Sequence, residues 1–204
     1  TAVGTVTQSA TQSKFGGKSA YIGVATQNNG LKVGTSAGSA LLHAGDFTHE
    51  CWFYQTADSE LNLSGLISRC DITQPASYAS STMAMVVRNA SGTFYPDIFS
   101  FCTSTGSYPM TGTIATALNT WNHVEFSRSG NTIRLFVNGK LSVSRTVSGV
   151  SNGSNYSQPL IGAIDQSGGL RTSFNGYIDE VRSTDGVCRH NYEFDVPTTP
   201  YKDY

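Results

Sequence analysis

Two neighbouring carboxylates, Asp179 and Glu180, lie inside "FNGYIDEVR" (174–182), an otherwise strand-like run. Paired carboxyls can cleave a glycosidic bond, but only when they face one another across the substrate. Successive side chains of a strand point to opposite faces, so these two do not meet that requirement. The rest of the 14 acidic residues offers no substitute, since no E-x-D-x-x-E cluster occurs. Asp58 and Glu60 would share a face if extended, but "TADSELN" reads as a loop. Ser, His and Asp are all present without a G-x-S-x-G elbow. His43, His49, His123 and His190 show no paired ligand spacing, and Cys51, Cys70, Cys102 and Cys188 lack the CxxC spacing of a zinc site. The sequence therefore predicts a protein that is not an enzyme.

Binding chemistry is better represented. An aromatic ring gives the apolar face of a pyranose a platform, and amides and carboxylates bond its hydroxyls. Loop and strand-end positions supply Tyr78, Tyr95 with Asp97, Tyr108, and Asn155 with Tyr156. The expected glycan site is Tyr95, Asp97, Tyr108, Asn155 and Tyr156 on one rim; the alternative for each tyrosine is that it seals a loop onto the scaffold. Only 13% of residues are charged, against about 25% in an average domain. With a formal net charge of −1 and no basic run, nucleic acid is not an expected partner. No apolar stretch approaches the ~20 residues of a membrane span, so membrane insertion is not expected either.

These residues need a scaffold, and alternation with turn clusters says which. The chain has 204 residues with 21 glycines, 6 prolines and abundant Ser, Thr and Asn. No window carries a 3.6-residue period. About a dozen strands are expected, among them "SAYIGV" (19–24), "FTHECWFYQ" (47–55), "LISRC" (66–70), "MAMVV" (83–87) and "DIFSFCT" (97–103). Between 121 and 147, "WNHVEFSR", "TIRLFV" and "KLSVSRTV" are separated by Ser-Gly-Asn and Asn-Gly, which predicts a three-stranded meander. Many short strands spaced by turns imply an all-β, two-sheet antiparallel sandwich. Polar loops are expected at 56–64, 71–82, 104–117 and 148–158. In "FTHECWF" the face carrying Phe47, His49, Cys51 and Phe53 is the core candidate, with His49 a hydrogen-bonded core histidine. The closing "VPTTPYKDY" reads as a docking strap or a linker into something further along. Each cysteine sits among apolar neighbours, where a thiol behaves as a small hydrophobe. All four are expected reduced; were one disulfide to form, Cys70 and Cys102 near strand ends are the pair. Processing, or excision from a longer polypeptide, would each account for a start at Thr1.

In order along the chain, "KFGGKSAYIGV", "GDFTHECWFY", "WNHVEFSRSGNTIRLFVNG", "FNGYIDEVRSTDGVCRH" and "PTTPY" resemble concanavalin A-like, laminin-G-like domains of the kind found in bacteriophage tail and virion proteins. The resemblance covers roughly residues 14–201 and implies one jelly-roll domain over 1–204, within a chain that could itself be longer. It implies a non-enzymatic carbohydrate-binding or adhesive role on a virion surface, contacting host-surface glycan. The rival is an architectural virion module, a capsid decoration or fibre spacer without a ligand. Other virion proteins are implied partners, with further copies of this chain an open option. The resemblance also implies a Ca2+ ion on Asp179 with the carbonyl of Gly23; calcium takes six to eight oxygens, many of them neutral. For Asp179 the alternative is a turn cap or an ion pair with Arg182, and Glu180 is expected solvated or salt-bridged on the opposite face. The chain departs from the family at His49, at Ser183 and at "GVATQNNG" (23–30), where an acidic pair is usual; that loss weakens the metal site.

Overall fold

The computed structural model describes residues 1–23, 28–34, 45–59, 61–69, 83–149, 158–166 and 169–202. Those residues form strands and connections without a helix. The first eight strands are β1 (Ala2–Val3), β2 (Val6–Ser9), β3 (Ser19–Ile22), β4 (Gly30–Lys32), β5 (Phe47–Gln55), β6 (Leu63–Arg69), β7 (Met83–Ala90) and β8 (Thr93–Thr103). Then come β9 (Gly106–Ser107), β10 (Trp121–Ser129), β11 (Thr132–Val137), β12 (Lys140–Thr146), β13 (Leu160–Ile161), β14 (Ile164–Gln166), β15 (Gly169–Arg171) and β16 (Gly176–Asp185). One sheet runs β1-β4-β13-β6-β7-β8-β9, the other β12-β11-β10-β5-β16-β3-β2, and β14 with β15 makes a separate ribbon. All pairings are antiparallel, giving the expected two-sheet sandwich.

Period-2 alternation sets the core. Phe47, Cys51 and Phe53 of β5, Val124 and Phe126 of β10 and Ile178 of β16 meet Leu66, Met83, Met85, Ile98 and Phe101 of the facing sheet. Phe47 and Phe126 lie 5.6 and 5.4 Å from Phe101, ring centroid to centroid, so one aromatic cluster bridges both layers. His49 shares this face, fully buried and stacked on Phe47 at 5.0 Å. Cys51 is a buried free thiol, pushed up by its burial, and Cys188 is also unbridged. Cys70, by contrast, and the side chain of Cys102 lie outside the described residues.

The meander is present as expected, with Asn138 and Gly139 both at positive φ (50° and 77°) in its second turn. Strand 47–55 has the predicted bounds, while β6, β7 and β8 extend beyond theirs. Loop 104–117 is more regular than expected: it contains β9 and bridges back to Phe94 and Ile98. Loop 71–82 lies outside the described residues, as do 150–157.

The second sheet has an outer face that solvent reaches only in part. There Thr48, Glu50 and Trp52 of β5 are as buried as the core residues between them. Residues 186–201 cover Thr48 and Glu50, so the tail is a docking strap, while Lys14 and Phe15 cover Trp52. Phe194 packs on Phe136 and stacks on His190 at 3.7 Å. Its backbone N–H donates to the carbonyl of Gly139 (3.0 Å). A Cβ on Gly139 would come within 2.0 Å of the Phe194 carbonyl oxygen, so the strap fits only a glycine turn.

Candidate functional site

The outer face of the second sheet divides into two halves. Under the strap lies a charged half. Glu50 and Glu125, cross-strand neighbours on β5 and β10, have fully buried side chains. Glu50 Oε1 accepts from Arg182 Nη2 at 2.8 Å, and its Oε2 lies 3.2 Å from His123 Nε2. Burial alone would raise this carboxyl; the His123 hydrogen bond and the Arg182 charge outweigh it and hold Glu50 below the usual carboxylate range. Glu125 is opposite in sign. Burial pushes it up, and His190 Nδ1 at 2.7 Å offsets this only in part. Tyr201 closes the cluster: its hydroxyl sits 2.9 Å from His123 Nε2, and Arg182 lies over its ring at 3.9 Å.

Beside this sealed half runs a neutral, open one. Tyr21 on β3, Tyr177 on β16, Tyr54 on β5 and Trp121 on β10 are in direct cross-strand register. Their neighbours Ile22, Ile178 and Phe53 point into the core, so the four rings point outward. Successive centroids are 4.9, 5.9 and 5.6 Å apart, with interplanar angles of 40°, 80° and 61°. All four rings are half-buried. Among the described residues no hydrogen bond engages the three phenol hydroxyls or the indole N–H of Trp121. Thr7, paired with Tyr21, extends the row to β2.

Local sequence holds the row in place. Gly176 has a φ of 143°, and a Cβ there would come within 2.1 Å of the Tyr54 carbonyl oxygen, so glycine lets β16 close on β5 beside Tyr177. On one flank Trp52 is capped by Lys14, whose ammonium lies 3.8 Å from the ring centroid, and by Phe15 edge-on. Beyond the strand ends on the other flank Thr56 donates to Asn175 (3.1 Å), and Asn119 and Thr120 are exposed. Ring faces, ring edges and unengaged hydroxyls thus alternate along one line. That is the chemistry required to stack on sugar rings and bond their hydroxyls.

Of the rim site expected from sequence, the described residues Tyr95 and Tyr108 stand apart. Tyr95 sits at the start of β8 against Arg88 (5.1 Å from guanidinium carbon to ring centroid). Asp97 is nearly buried and spends both oxygens internally, one on Arg88 Nε (2.5 Å) and one on the Gly112 N–H (2.7 Å). Tyr108 is at the far end of β8, its backbone N–H bonded to the Phe101 carbonyl. There Ser148 and Thr105 surround its hydroxyl, and Ser148's hydrogen bond foremost lowers the phenol to about 8. Six residues of strand, roughly 20 Å, separate Tyr95 from that contact. Asn155, Tyr156 and Tyr78 lie outside the described residues.

The Asp179–Gly23 pair is also not brought together. Ile178 pairs with Ala20 and Gly176 with Ile22, which leaves Gly23 about 13 Å along β3 from the level of Asp179. Asp179 accepts from the backbone N–H groups of Lys14 (2.8 Å), Phe15 (3.3 Å) and Glu180 (2.9 Å), while the Gly23 carbonyl accepts from Asn29. These two residues do not fit a shared calcium ion; Asp179 is a turn cap for the 13–17 loop. Arg182 pairs with Glu50 instead. The alternation assumed for Asp179 and Glu180 fails because of a bulge between Asp179 and Arg182, with Glu180 at a φ of 49°. Glu180 turns to the strap and accepts from the Tyr201 N–H at 2.6 Å.

A two-sheet antiparallel sandwich with an aromatic face defines a lectin-like class of domain. The chain belongs to the laminin-G-like family described as the concanavalin A-like lectin/glucanases superfamily, whose pattern matches residues 25–189. None of the curated proteins matches the chain. Among solved structures, it is similar to the CBM40 domain of the Ruminococcus gnavus IT-sialidase, bound to α2,3-sialyllactose. That match has a TM-score of 0.57 and 15% identity, over 79% of this chain and 91% of that one. Domain 4 of AbnA, a GH43 extracellular arabinanase from Geobacillus stearothermophilus in complex with arabinotriose, aligns at a TM-score of 0.56 and 14% identity, over 88% of this chain and 75% of that one. The enzymatically active domain of bacteriophage CBA120 tailspike protein 2 aligns at 0.60 and 13% identity, over 88% of this chain and 27% of that one. At such identities the likeness is one of fold.

Proposed function

We propose that this domain binds carbohydrate without cleaving it, and that Tyr21, Tyr54, Tyr177 and Trp121 form the binding surface. The observation that carries this reading is the unengaged aromatic row, which has no structural duty matching its size. Carbohydrate-binding neighbours of the same fold support it. The two buried carboxylates nearby are sealed by the strap and committed to Arg182, His123 and His190, so they are not offered to a substrate. On the resemblance of its motifs to phage virion domains, we place the protein on a virion surface, in a tail or fibre, contacting host-surface glycan.

Purified protein presented to host cells and to an array of bacterial surface polysaccharides tests this. Binding above background is expected, and Tyr177→Ala should weaken it by about 1–3 kcal/mol with the fold intact. Tyr95→Ala should leave it unchanged. Absence of binding to cells and array alike would hand the assignment to an architectural virion module.

A further inference from the structure

Resting on that reading, the geometry points to a specific form of ligand: an internal stretch of a glycan chain, lying across the strands, rather than a terminal sugar. The row crosses four adjacent strands, β3, β16, β5 and β10. It therefore spans three inter-strand spacings, about 14 Å, which exceeds one sugar ring. Its rings are spaced at near-regular intervals of 4.9 to 5.9 Å. A monosaccharide could cover one or two of them and would leave the others wet.

The ends and sides of the row differ. At the β2 end it runs out over Thr7, an exposed residue on an edge strand. At the β10 end it runs out toward the β11–β12 turn, where Asn138 and Lys140 are exposed. Both ends thus open onto exposed residues. The long sides are bounded, by Trp52 with Lys14 and Phe15 on one and by Thr56 with Asn175 on the other. Bounded sides and open ends select a polymer passing through; a site for a chain end is concave and buries most of its ligand. The angles between successive rings also turn each face differently, which suits consecutive sugars that are rotated relative to one another.

The test uses whichever polysaccharide the array retains, broken by partial acid hydrolysis into a ladder of sizes. The chain has two tryptophans, of which Trp52 is buried and Trp121 half-exposed, so intrinsic fluorescence reports binding at the row. Affinity should climb from one unit to about four and then level off, each added ring contact giving on the order of threefold to tenfold in Kd. Tyr21→Ala, at one end of the row, should leave the shortest binding fragment unaffected and flatten the climb one unit earlier. A fragment of one unit that binds as tightly as the intact polymer would overturn this inference and leave carbohydrate binding standing. Affinity that falls when the chain ends alone are oxidised by mild periodate would also overturn it. No retention of any polysaccharide would overturn both.

Discussion

The two halves of one sheet face have been put to opposite uses. Under the strap, Glu50, Glu125, His123, Arg182 and His190 form ion-pair and hydrogen-bond contacts that water does not reach freely. About 13 Å further along β5, Tyr54 and its neighbour Tyr177 are half-exposed and carry no charge. A charge removed from water must be paired, which makes the sealed half costly to disturb. Exposed rings cost little to build and retain their contacts for a visitor. Trp52 marks the border: it belongs to the row's face but is capped by Lys14 and buried. Charge on this face serves the fold, and its neutral half is the part left for recognition on the proposed reading.

The largest effect is expected in the sealed half. Glu50→Ala strands Arg182 and His123 and should cost about 3–5 kcal/mol of stability, read from urea unfolding. Binding per folded molecule should not change. A loss below about 1 kcal/mol would mean that the network is no more than a surface ion pair. Next comes the row: Tyr54→Ala should reverse that pattern, losing roughly 1–3 kcal/mol of glycan binding. It leaves no buried charge unpaired.

How much of this could be read from the residues alone follows the same division. Strand 47–55 and the meander were legible because alternation and Asn-Gly are local signals, whereas the tail's composition left a docking strap and a linker both open. Each ring of the row also sat in a legible strand, on the side away from the core. Their alignment was not legible, because positions 21, 54, 121 and 177 come together only through register between strands distant in sequence. Tyr95 and Tyr108 show the opposite case: they stand in or near loops, where function is often found, although strand length keeps them apart. The bulge after Asp179 left no local mark either, and it reverses the face assigned to Glu180.

Acid titration should separate the two buried carboxylates. Glu50 lies below its unfolded pKa, so its contribution is present above about pH 4.3 and is lost as pH falls through the folded value. Glu125 lies above its unfolded pKa, so its contribution is present in acid and is lost as pH rises through the folded value. At neutral pH, Glu50→Gln should therefore destabilise. Glu125→Gln should be neutral or stabilising, by on the order of 1 kcal/mol. Unfolding curves at pH 7 and pH 4 would show both differences shrinking in acid. Two variants that shift stability in the same direction at pH 7 would show that the halves of this pair are not distinguished by their partners.

Calcium should do still less. A site saturated at a hundredfold over its Kd would add about 2.7 kcal/mol. Asp179 already accepts three backbone N–H groups, and Gly23 lies too far along β3 to share an ion with it. Thermal melts in millimolar calcium and in chelator should coincide, and Asp179→Asn should behave alike in both. A chelator-sensitive melt that Asp179→Asn abolishes would restore the metal to that carboxylate.

The smallest expected change is the response of binding to salt, and it bears most directly on what the open half recognises. Stacking and neutral hydrogen bonds are not screened, whereas an ionic contact exposed to solvent weakens as the Debye length shrinks from about 8 Å at physiological salt to about 3 Å at 1 M. The row itself carries no formal charge. Lys14 is the cation beside it, held over Trp52 at 3.8 Å, and it stands near the acidic Asp179, whose carboxylate pins its own backbone N–H. A neutral glycan on the four rings should therefore bind with a Kd that moves less than about twofold across that salt range. Lys14→Met, which retains the apolar stem over the indole, should leave both affinity and salt response unchanged. A Kd that weakens severalfold in high salt, and loses that dependence in Lys14→Met, would show that an anionic substituent reaches past the row to Lys14. The boundary between charge for folding and neutrality for recognition would then run one residue further into the site than Trp52.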